Sequence, residues 1–196
     1  MIIFDYNQVA ISNLMEQIGS SKVSVDETLV RHMILNTIRT YVKKYKDSYG
    51  PEVIIACDNR HYWRRDIFPH YKAGRKKARD SSGHDWSSIF DCLGKIKQEL
   101  KDSSPYKVID VDTCEADDII AVLAMKYSST QKVMILSSDK DFAQLQKFPN
   151  VEQYSPILKK NIKEPLPAAQ LKQLIIRGDK SDGIPNILSK DDTFVE

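Results

Sequence analysis

The sequence contains few cysteines and no long apolar run, and both absences exclude classes of protein. Its three cysteines, Cys57, Cys92 and Cys114, are an odd number without CxxC spacing, so neither a disulfide framework nor a cysteine zinc site is expected. No apolar run is long enough to span a bilayer, and the N-terminus lacks a basic flank and a cleavage-like region. We therefore expect a cytoplasmic protein with reduced thiols and no membrane segment.

Histidine is also scarce, and the four histidines form no HExxH or similar pattern, which argues against catalytic zinc. Glycine-rich and low-complexity tracts are missing as well. What is present is a globular composition: 196 residues, of which 41% are hydrophobic. A chain of this length can bury the core of one domain and carry part of another.

Short apolar, β-branched runs alternate with segments of helical periodicity. The runs cover residues 2–4, 52–57, 106–110 and 132–136. This alternation predicts an α/β fold in which crossover helices flank a mostly parallel sheet.

Helices are predicted between and after these strands. The first is expected from about Val25 to Lys46, begun by a capping box of Ser24 and Glu27. A second should follow Asp85 and bury Phe90 among its apolar residues. Further helices are expected at residues 115–127, near 141 and at 168–177, the last ended by a glycine at 178.

Proline and glycine mark the predicted divisions of the chain. Residues 1–155 should form the first unit, and residues 156–196, entered through three prolines, should begin a second, helical unit. Within the first unit, residues 60–84 have a poor structural pattern and are expected to be mobile and exposed.

Carboxylates follow nearly every predicted strand. They are, in chain order, Asp5, Asp58, Glu115, Asp117, Asp139 and Asp141. Each alone is typical of a helix N-cap or a turn, and Asp118 suits the first turn of a helix. Ligands of open parallel sheets bind outside the carboxyl ends of the strands, where these side chains would gather and repel one another unless hard cations bind them. Two such ions about 4 Å apart suit in-line phosphodiester hydrolysis.

Positive charge is concentrated in one segment. Between Arg60 and Arg79 there are eight basic residues and one acidic residue, so this segment carries +7 and the rest of the chain −5, for a net charge of +2. A charge run is often only a solvated face, but here aromatic residues are interleaved with the cations, which is typical of single-stranded nucleic-acid binding. Lys72 and Arg75 are candidates for reaching the scissile phosphate. The candidate nucleic-acid-binding residues are Arg64, Arg65, Tyr71, Lys72, Arg75, Lys76, Lys77 and Arg79.

The motifs resemble those of the 5′ nuclease or flap endonuclease superfamily, and within it the ribonucleases H of T-even bacteriophages. The resemblance covers essentially the whole chain. In order, the motifs are FDYNQVAIS, CDN followed by YWRRD, Pro69-His-Tyr71-Lys72-x-x-Arg75, Glu115-Ala-Asp117-Asp118, Ser137-Ser-Asp139-x-Asp141-Phe142 and Gly178-Asp179-Lys-Ser-Asp182.

The resemblance implies a PIN-like domain with a helical arch over the site and a Mg²⁺-dependent 5′→3′ exonuclease with flap endonuclease activity, using two ions for which Mn²⁺ can substitute. Carried over by position, it adds Asp179 and Asp182 to the six metal-binding carboxylates and places Asp117 and Asp139 with Lys72 in the catalytic set. Lys72 resembles the arch lysine that contacts the scissile phosphate, while Arg64 and Tyr71 fall at substrate-contacting positions.

The implied substrates are branched or flap DNA and RNA–DNA hybrids with a free 5′ end. In a phage, such an enzyme would act as a monomer in the host cytoplasm and remove RNA primers and adjacent DNA during lagging-strand maturation. A helicase, a clamp or a single-strand-binding protein would be a plausible partner by resemblance.

Two features depart from the resemblance. The family motif GDxSDNIPG reads GDKSDGIPN here, and the sequence stops at Glu196, where the family continues into a helix-hairpin-helix region. We therefore expect the duplex-binding half to be missing or encoded elsewhere.

Two alternatives remain open. Asp110-Val-Asp112-Thr113 resembles the nucleophile motif of haloacid-dehalogenase-like phosphatases, although that hypothesis gives no role to Asp5, Asp58 or the basic segment. The other alternative is a truncated, catalytically impaired module that binds nucleic acid without cleaving it.

Overall fold

A six-stranded sheet forms the centre of the protein, in a computed structural model that describes residues 1–18 and 26–194. The strand order is β3-β2-β1-β4-β5-β6. The first five strands pair in parallel, and β6 runs antiparallel to β5. The strands are β1 (Ile2–Asp5), β2 (Val53–Cys57), β3 (Lys107–Asp110), β4 (Val133–Leu136), β5 (Val151–Ser155) and β6 (Lys160–Ile162). The predicted mostly parallel α/β sheet is therefore confirmed.

Helices cover both faces of the sheet. They are α1 (Tyr6–Ile18), α2 (Glu27–Tyr49), α3 (Trp63–Ile67), α4 (Gly74–Ser81), α5 (Trp86–Ser103), α6 (Ala116–Tyr127) and α7 (Pro167–Arg177), together with 3₁₀ helices at Lys140–Lys147 and Lys180–Asp182. No helix among the described residues is long and apolar enough to cross a membrane.

Two hydrophobic clusters lie on opposite faces of the sheet because alternate residues of a strand point to opposite sides. Phe4 and Leu136 face α1, α2 and α5, whereas Ile3 and Ile135 face α6 and the first 3₁₀ helix. Strands β1, β2 and β4 are consequently buried on both faces, which is why they are nearly continuous apolar runs in the sequence.

Several helix and strand predictions need correction. Helix α2 begins at Glu27 and is capped by Asp26, whose Oδ1 accepts hydrogen bonds from Thr28 N (2.9 Å) and Leu29 N (3.2 Å). The predicted cap Ser24 and the predicted start Val25 lie outside the described residues. Helix α1 and strands β5 and β6 were not predicted, and β6 places residues 160–162 in the same sheet as the first unit. The division at residue 155 otherwise remains a prediction.

The segment 60–84 is more ordered than its sequence pattern indicates. It contains α3 and α4, and Tyr71 between them is buried, with 5% of its surface exposed. Conversely, Phe90 does not lie on the buried face of α5, because 43% of its surface is exposed.

Candidate active site

The predicted carboxylates meet at the carboxyl edge of the sheet. Asp5 is the last residue of β1, Asp58 follows β2 directly, and Asp139 follows β4 by three positions. Strands β1 and β4 are neighbours from which the chain proceeds in opposite directions across the sheet, so Asp5 and Asp139 lie at a topological switch point.

Two cavities contain most of the predicted carboxylates. The first, of about 540 Å³, is lined by Asp5, Asp58, Asp117 and Asp139 and also by Lys72. The second, of about 500 Å³, is lined by Asp117, Asp141 and Asp182, and by Arg64 and Tyr71. Asp117 is the one predicted metal ligand that borders both.

Asp5 and Asp58 are held by hydrogen bonds from neighbouring elements. Asp5 is 5% exposed and accepts from Gln8 N (3.2 Å) and Ser137 Oγ (3.0 Å). Asp58 accepts from Asn7 Nδ2 and from Ala116 N, both at 2.8 Å. These bonds restrain both carboxylates, which line the first cavity.

Glu115 occupies a different environment. Its side chain is 1% exposed and accepts hydrogen bonds from three residues of the basic segment: Arg64 Nη1 at 3.0 Å, Tyr71 Oη at 2.8 Å and Lys72 Nζ at 2.6 Å. Glu115 therefore connects the start of α6 to the basic segment, and its oxygens already have cationic partners.

Asp117, Asp139 and Asp141 have fewer partners. Asp139 caps the first 3₁₀ helix by accepting from Asp141 N at 2.9 Å. Burial, reinforced by Asp5 and Asp139, raises the pKa of Asp117 to about 8. Burial, with Asp139 and Asp179 nearby, raises the pKa of Asp141 to about 6, and Asp141 Oδ1 is buried without a hydrogen-bond donor.

Asp179 and Asp182 lie in the turn after α7 and are neutralised by basic side chains. Lys140 Nζ is 2.9 Å from Asp179 Oδ2. Burial acts to raise the pKa of Asp179, but hydrogen bonds from Ser181 and Lys140 outweigh it and lower the pKa. Asp182 pairs with Arg75, and its second oxygen lies 3.9 Å from Lys72 Nζ.

The donor set fits a hard divalent cation in chemistry and charge. Burial and the nearby charge of Asp58 raise the pKa of Asp5 to about 7, so Asp5, Asp117 and Asp141 all have raised pKa values. Oxygen ligands with uncompensated negative charge are what Mg²⁺ and Mn²⁺ prefer. Within residues 1–18 and 26–194, however, no three such side chains are arranged to hold an ion as they stand. Coordination would require movement of side chains.

The turn after α7 also shapes the basic segment. Lys72 adopts a left-handed backbone conformation, with φ of 57°, and its backbone N donates to Asp182 O at 2.8 Å. Gly183 has φ of 73°, and a Cβ there would lie 2.9 Å from His70 O. In this chain, a side chain at position 183 would therefore crowd the His70 carbonyl.

The structure separates the basic residues into three groups. Lys72, Arg75 and Arg79 line the first cavity. Arg64 lines the second, as does Asp118, and the two pair at 2.7 Å, so the charge of Asp118 is balanced by Arg64 of α3. The remaining candidates, Arg65, Lys76 and Lys77, are exposed and line neither cavity.

Four residues of the site were missed in the sequence. Asn7 and Ser137 hold Asp58 and Asp5, respectively, and Trp86 and Phe90 line the first cavity. Asn7 and Ser137 each stand within two residues of a strand end, which was the available signal. Trp86 and Phe90 are four apart on α5, so helical periodicity alone assigns them to a face but does not say what that face contacts.

We expect Gly183→Ala to lower the free energy of unfolding by about 2 kcal/mol, because the new Cβ meets His70 O and the positive φ becomes strained. Gly94→Ala is the control: nothing lies within 4 Å of its added Cβ in α5, so it should be neutral or stabilising. Urea unfolding measures both. Equal effects would contradict the close packing at Gly183.

The raised pKa values of Asp5, Asp117 and Asp141 predict that the metal-free protein, in buffer with a chelator, becomes less stable as the pH rises. Between the unfolded pKa near 4 and the folded values of about 6 to 8, the native protein binds more protons, so its free energy of unfolding falls as pH rises. Asp117→Asn should therefore stabilise the metal-free protein at pH 8, by about 1–3 kcal/mol, and flatten this dependence.

Asp110→Asn is the control, because it should change the free energy of unfolding in the opposite direction. Burial acts to raise the pKa of Asp110, but hydrogen bonds from Lys97 and Asn59 outweigh it and lower the pKa. Its ionised form therefore stabilises the protein above pH 4, and the substitution should destabilise it there. Thermal unfolding from pH 5 to 8.5 tests both variants; destabilisation by Asp117→Asn at pH 8 would contradict the assigned repulsion.

The chain matches the family model described as 5′-3′ exonuclease, N-terminal resolvase-like domain, over residues 11–174. It is 40% identical to the ribonuclease H of Enterobacteria phage T4 over 195 residues, which are 97% of this chain and 64% of that protein. It is 29% identical to the flap endonuclease Xni of Vibrio vulnificus strain YJ016 over 137 residues, 68% of this chain and 49% of that protein. The chain thus spans between half and two thirds of these relatives.

Solved structures show the same fold. The T5 5′-exonuclease with bound divalent metal ions (zinc) superposes with a TM-score of 0.74 at 16% identity, covering 97% of this chain and 70% of that one. A T5 flap endonuclease in a pseudo-enzyme-product complex with DNA and metal ions also gives 0.74, at 15% identity, covering 96% and 70%. The fold, the family match over most of the sequence and the ordered carboxylates agree, and the chain belongs to the 5′-3′ exonuclease family through its N-terminal resolvase-like domain.

Proposed function

We propose that the protein is a metal-dependent 5′ nuclease, a 5′→3′ exonuclease and flap endonuclease that hydrolyses phosphodiester bonds near a free 5′ end. The observation that carries this proposal is the first cavity, which is lined by four carboxylates together with Lys72, Arg75 and Arg79. A cavity lined by both carboxylates and cations can hold divalent cations and a phosphate together.

The metal would be Mg²⁺, with Mn²⁺ as a substitute, bound as two ions. Asp5, Asp58, Asp117 and Asp139 line the cavity and would hold the first ion, and Asp141 with its unpartnered Oδ1 would contribute to the second. Glu115, Asp179 and Asp182 would join these ligands once their cationic partners move. Bound ions would supply a hydroxide nucleophile and stabilise the leaving oxygen.

Lys72 and Arg75 would act on the phosphate. In the structure, their charges are directed at Glu115 and Asp182. A phosphate that enters the cavity would offer Lys72 and Arg75 a second anion to bind. Metal ions bound at the carboxylates would then neutralise Glu115 and Asp182 in place of these two cations. Lys72 is then available to stabilise negative charge that develops at the scissile phosphate.

The substrates would be branched or flap DNA and RNA–DNA hybrids with a free 5′ end, and the biological role the removal of RNA primers and adjacent DNA in lagging-strand replication. The names of the relatives, ribonuclease H and flap endonuclease, support this proposal. A phage origin, a monomeric state, residence in the host cytoplasm and replication partners such as a single-strand-binding protein or a clamp belong to the same proposal. Residues 156–196 would begin the duplex-binding region.

A nucleic-acid-binding module without catalysis is the second candidate. It is favoured by one observation, the ion pairs that Glu115 and Asp182 form with Lys72 and Arg75. The phosphatase alternative loses support, because Asp110 is tied to Lys97 and to Asn59 Nδ2 (3.1 Å) and lines neither carboxylate cavity.

Asp117→Asn and Asp139→Asn are each expected to abolish Mg²⁺-dependent release of short products from a 5′ end, while both variants remain folded. The assay compares 5′-flap DNA with an RNA–DNA hybrid, with Mg²⁺ and with chelator. Asp110→Asn, which removes a carboxylate outside the cavities, should retain cleavage. Undiminished cleavage by both site variants would refute the metal assignment, and tight binding without cleavage by the wild type would favour the second candidate.

Lys72→Ala is expected to slow the cleavage step by about 100-fold or more, because it removes a cation that lines the cavity of the four carboxylates. Lys77→Ala removes the same charge from the exposed surface of α4 and should cost only a few-fold, chiefly in substrate affinity. Single-turnover rates at saturating enzyme separate the two effects. Equal rate losses would show that Lys72 acts only through the general positive field.

A further inference from the structure

Trp86 and Phe90 form an aromatic wall of the cavity that contains the four carboxylates. Their ring centroids are 5.6 Å apart, with an angle of 35° between the ring planes. Phe90 is 43% exposed, although its neighbours on the same helix, Ile89 and Leu93, are buried in the core. Phe90 is therefore a cavity surface, whereas Trp86 is half-buried, lining the cavity and also packing against the hydrophobic core.

Contacts from the basic helix hold this wall in place. Trp86 Nε1 donates a hydrogen bond to Ser82 Oγ at 2.7 Å, directly after the end of α4. The guanidinium of Arg79 lies 5.7 Å from the centroid of the Phe90 ring. Cations and aromatic rings are thus adjacent, and both line the cavity that contains the carboxylates.

The wall also lies at a junction of two cavities. Phe90, Tyr62, Asn7 and Asp58 line the active-site cavity and also an adjoining cavity of about 900 Å³. A strand that runs from the adjoining cavity into the active-site cavity would lie along Phe90. The sequence interpretation placed stacking residues only within the basic segment, so this wall was not among them.

We propose that Trp86 and Phe90 form a base-binding subsite that stacks against one unpaired nucleobase of a single-stranded nucleic acid whose phosphate lies at Lys72 and Arg75. The cavity has a surface for each part of the complex. Its cations would bind the phosphate of a nucleotide and its aromatic rings the base, while its carboxylates would bind the metal ions. The proposal rests on the proposed function and specifies how the same cavity holds its substrate.

The test compares two ligands with the same phosphates. The full chain is titrated, in chelator, with a short 5′-phosphorylated oligothymidylate and with an abasic strand of equal length, each carrying a fluorescent label for anisotropy. Wild type should bind the thymidylate strand about tenfold more tightly, the contribution of about one stacked base. Phe90→Leu should remove most of that difference and leave the affinity for the abasic strand unchanged.

Phe148→Leu is the matched control. Phe148 also has a cation over its ring, with Lys147 Nζ at 5.0 Å, but it precedes β5 and so lies at the opposite edge of the sheet. Its substitution should leave both affinities unchanged. In a Trp63→Phe background, Trp86 is the remaining tryptophan, and its fluorescence should change with the thymidylate strand but not with the abasic strand.

Equal wild-type affinity for the two strands, or equal weakening of both by Phe90→Leu, would overturn the subsite. A Mg²⁺ cleavage assay on the same preparation separates this outcome from failure of the proposed function. Cleavage without a base preference removes the subsite alone, whereas a base preference without cleavage removes the nuclease assignment alone.

Discussion

The buried carboxylate of Glu115 determines how the basic segment meets the sheet. A carboxylate that is 1% exposed must be paired, because an unpaired buried charge costs several kcal/mol. Its partners are Arg64, Tyr71 and Lys72, which lie in α3 and in the loop before α4. Satisfying this one group therefore brings the segment with +7 charge over the carboxyl edge of the sheet, where the other carboxylates end their strands.

The same pairing divides the carboxylates into two electrostatic classes. Glu115, Asp179 and Asp182 have lysine or arginine partners. Asp5 and Asp117 have no such ion pair among the described residues, and their pKa values are raised. Asp5 and Asp117 both line the first cavity. The carboxylates without a basic partner are therefore concentrated where a cation and a phosphate would enter.

The features of the fold and the site that could be predicted are those that leave a signal in neighbouring residues of the sequence. Strands β1, β2 and β4 were predicted because burial on both faces makes them nearly continuous apolar runs, and the edge strand β3 was predicted from the β-branched pair Val108 and Ile109. Strand β5 was missed because its sequence VEQYS is mostly polar, and α1 was missed because Asn7, Gln8 and Asn13 interrupt its apolar pattern. The carboxylates were predicted from their positions at strand ends. The ion pair between Lys72 and Glu115 spans 43 positions and has no local signal in either segment.

The turn after α7 is part of the site although the sequence assigns it to a second unit. Asp182 contributes its backbone oxygen to Lys72 N and its carboxylate to Arg75, so one residue fixes both the backbone and the charge of the basic segment. Gly183 permits this approach because no Cβ stands between the turn and His70 O. The left-handed conformation of Lys72 and the glycine at 183 are thus two parts of one contact. A side chain at 183 would push the turn away from the segment, and Lys72 would lose the hydrogen bond that holds its backbone beside Glu115.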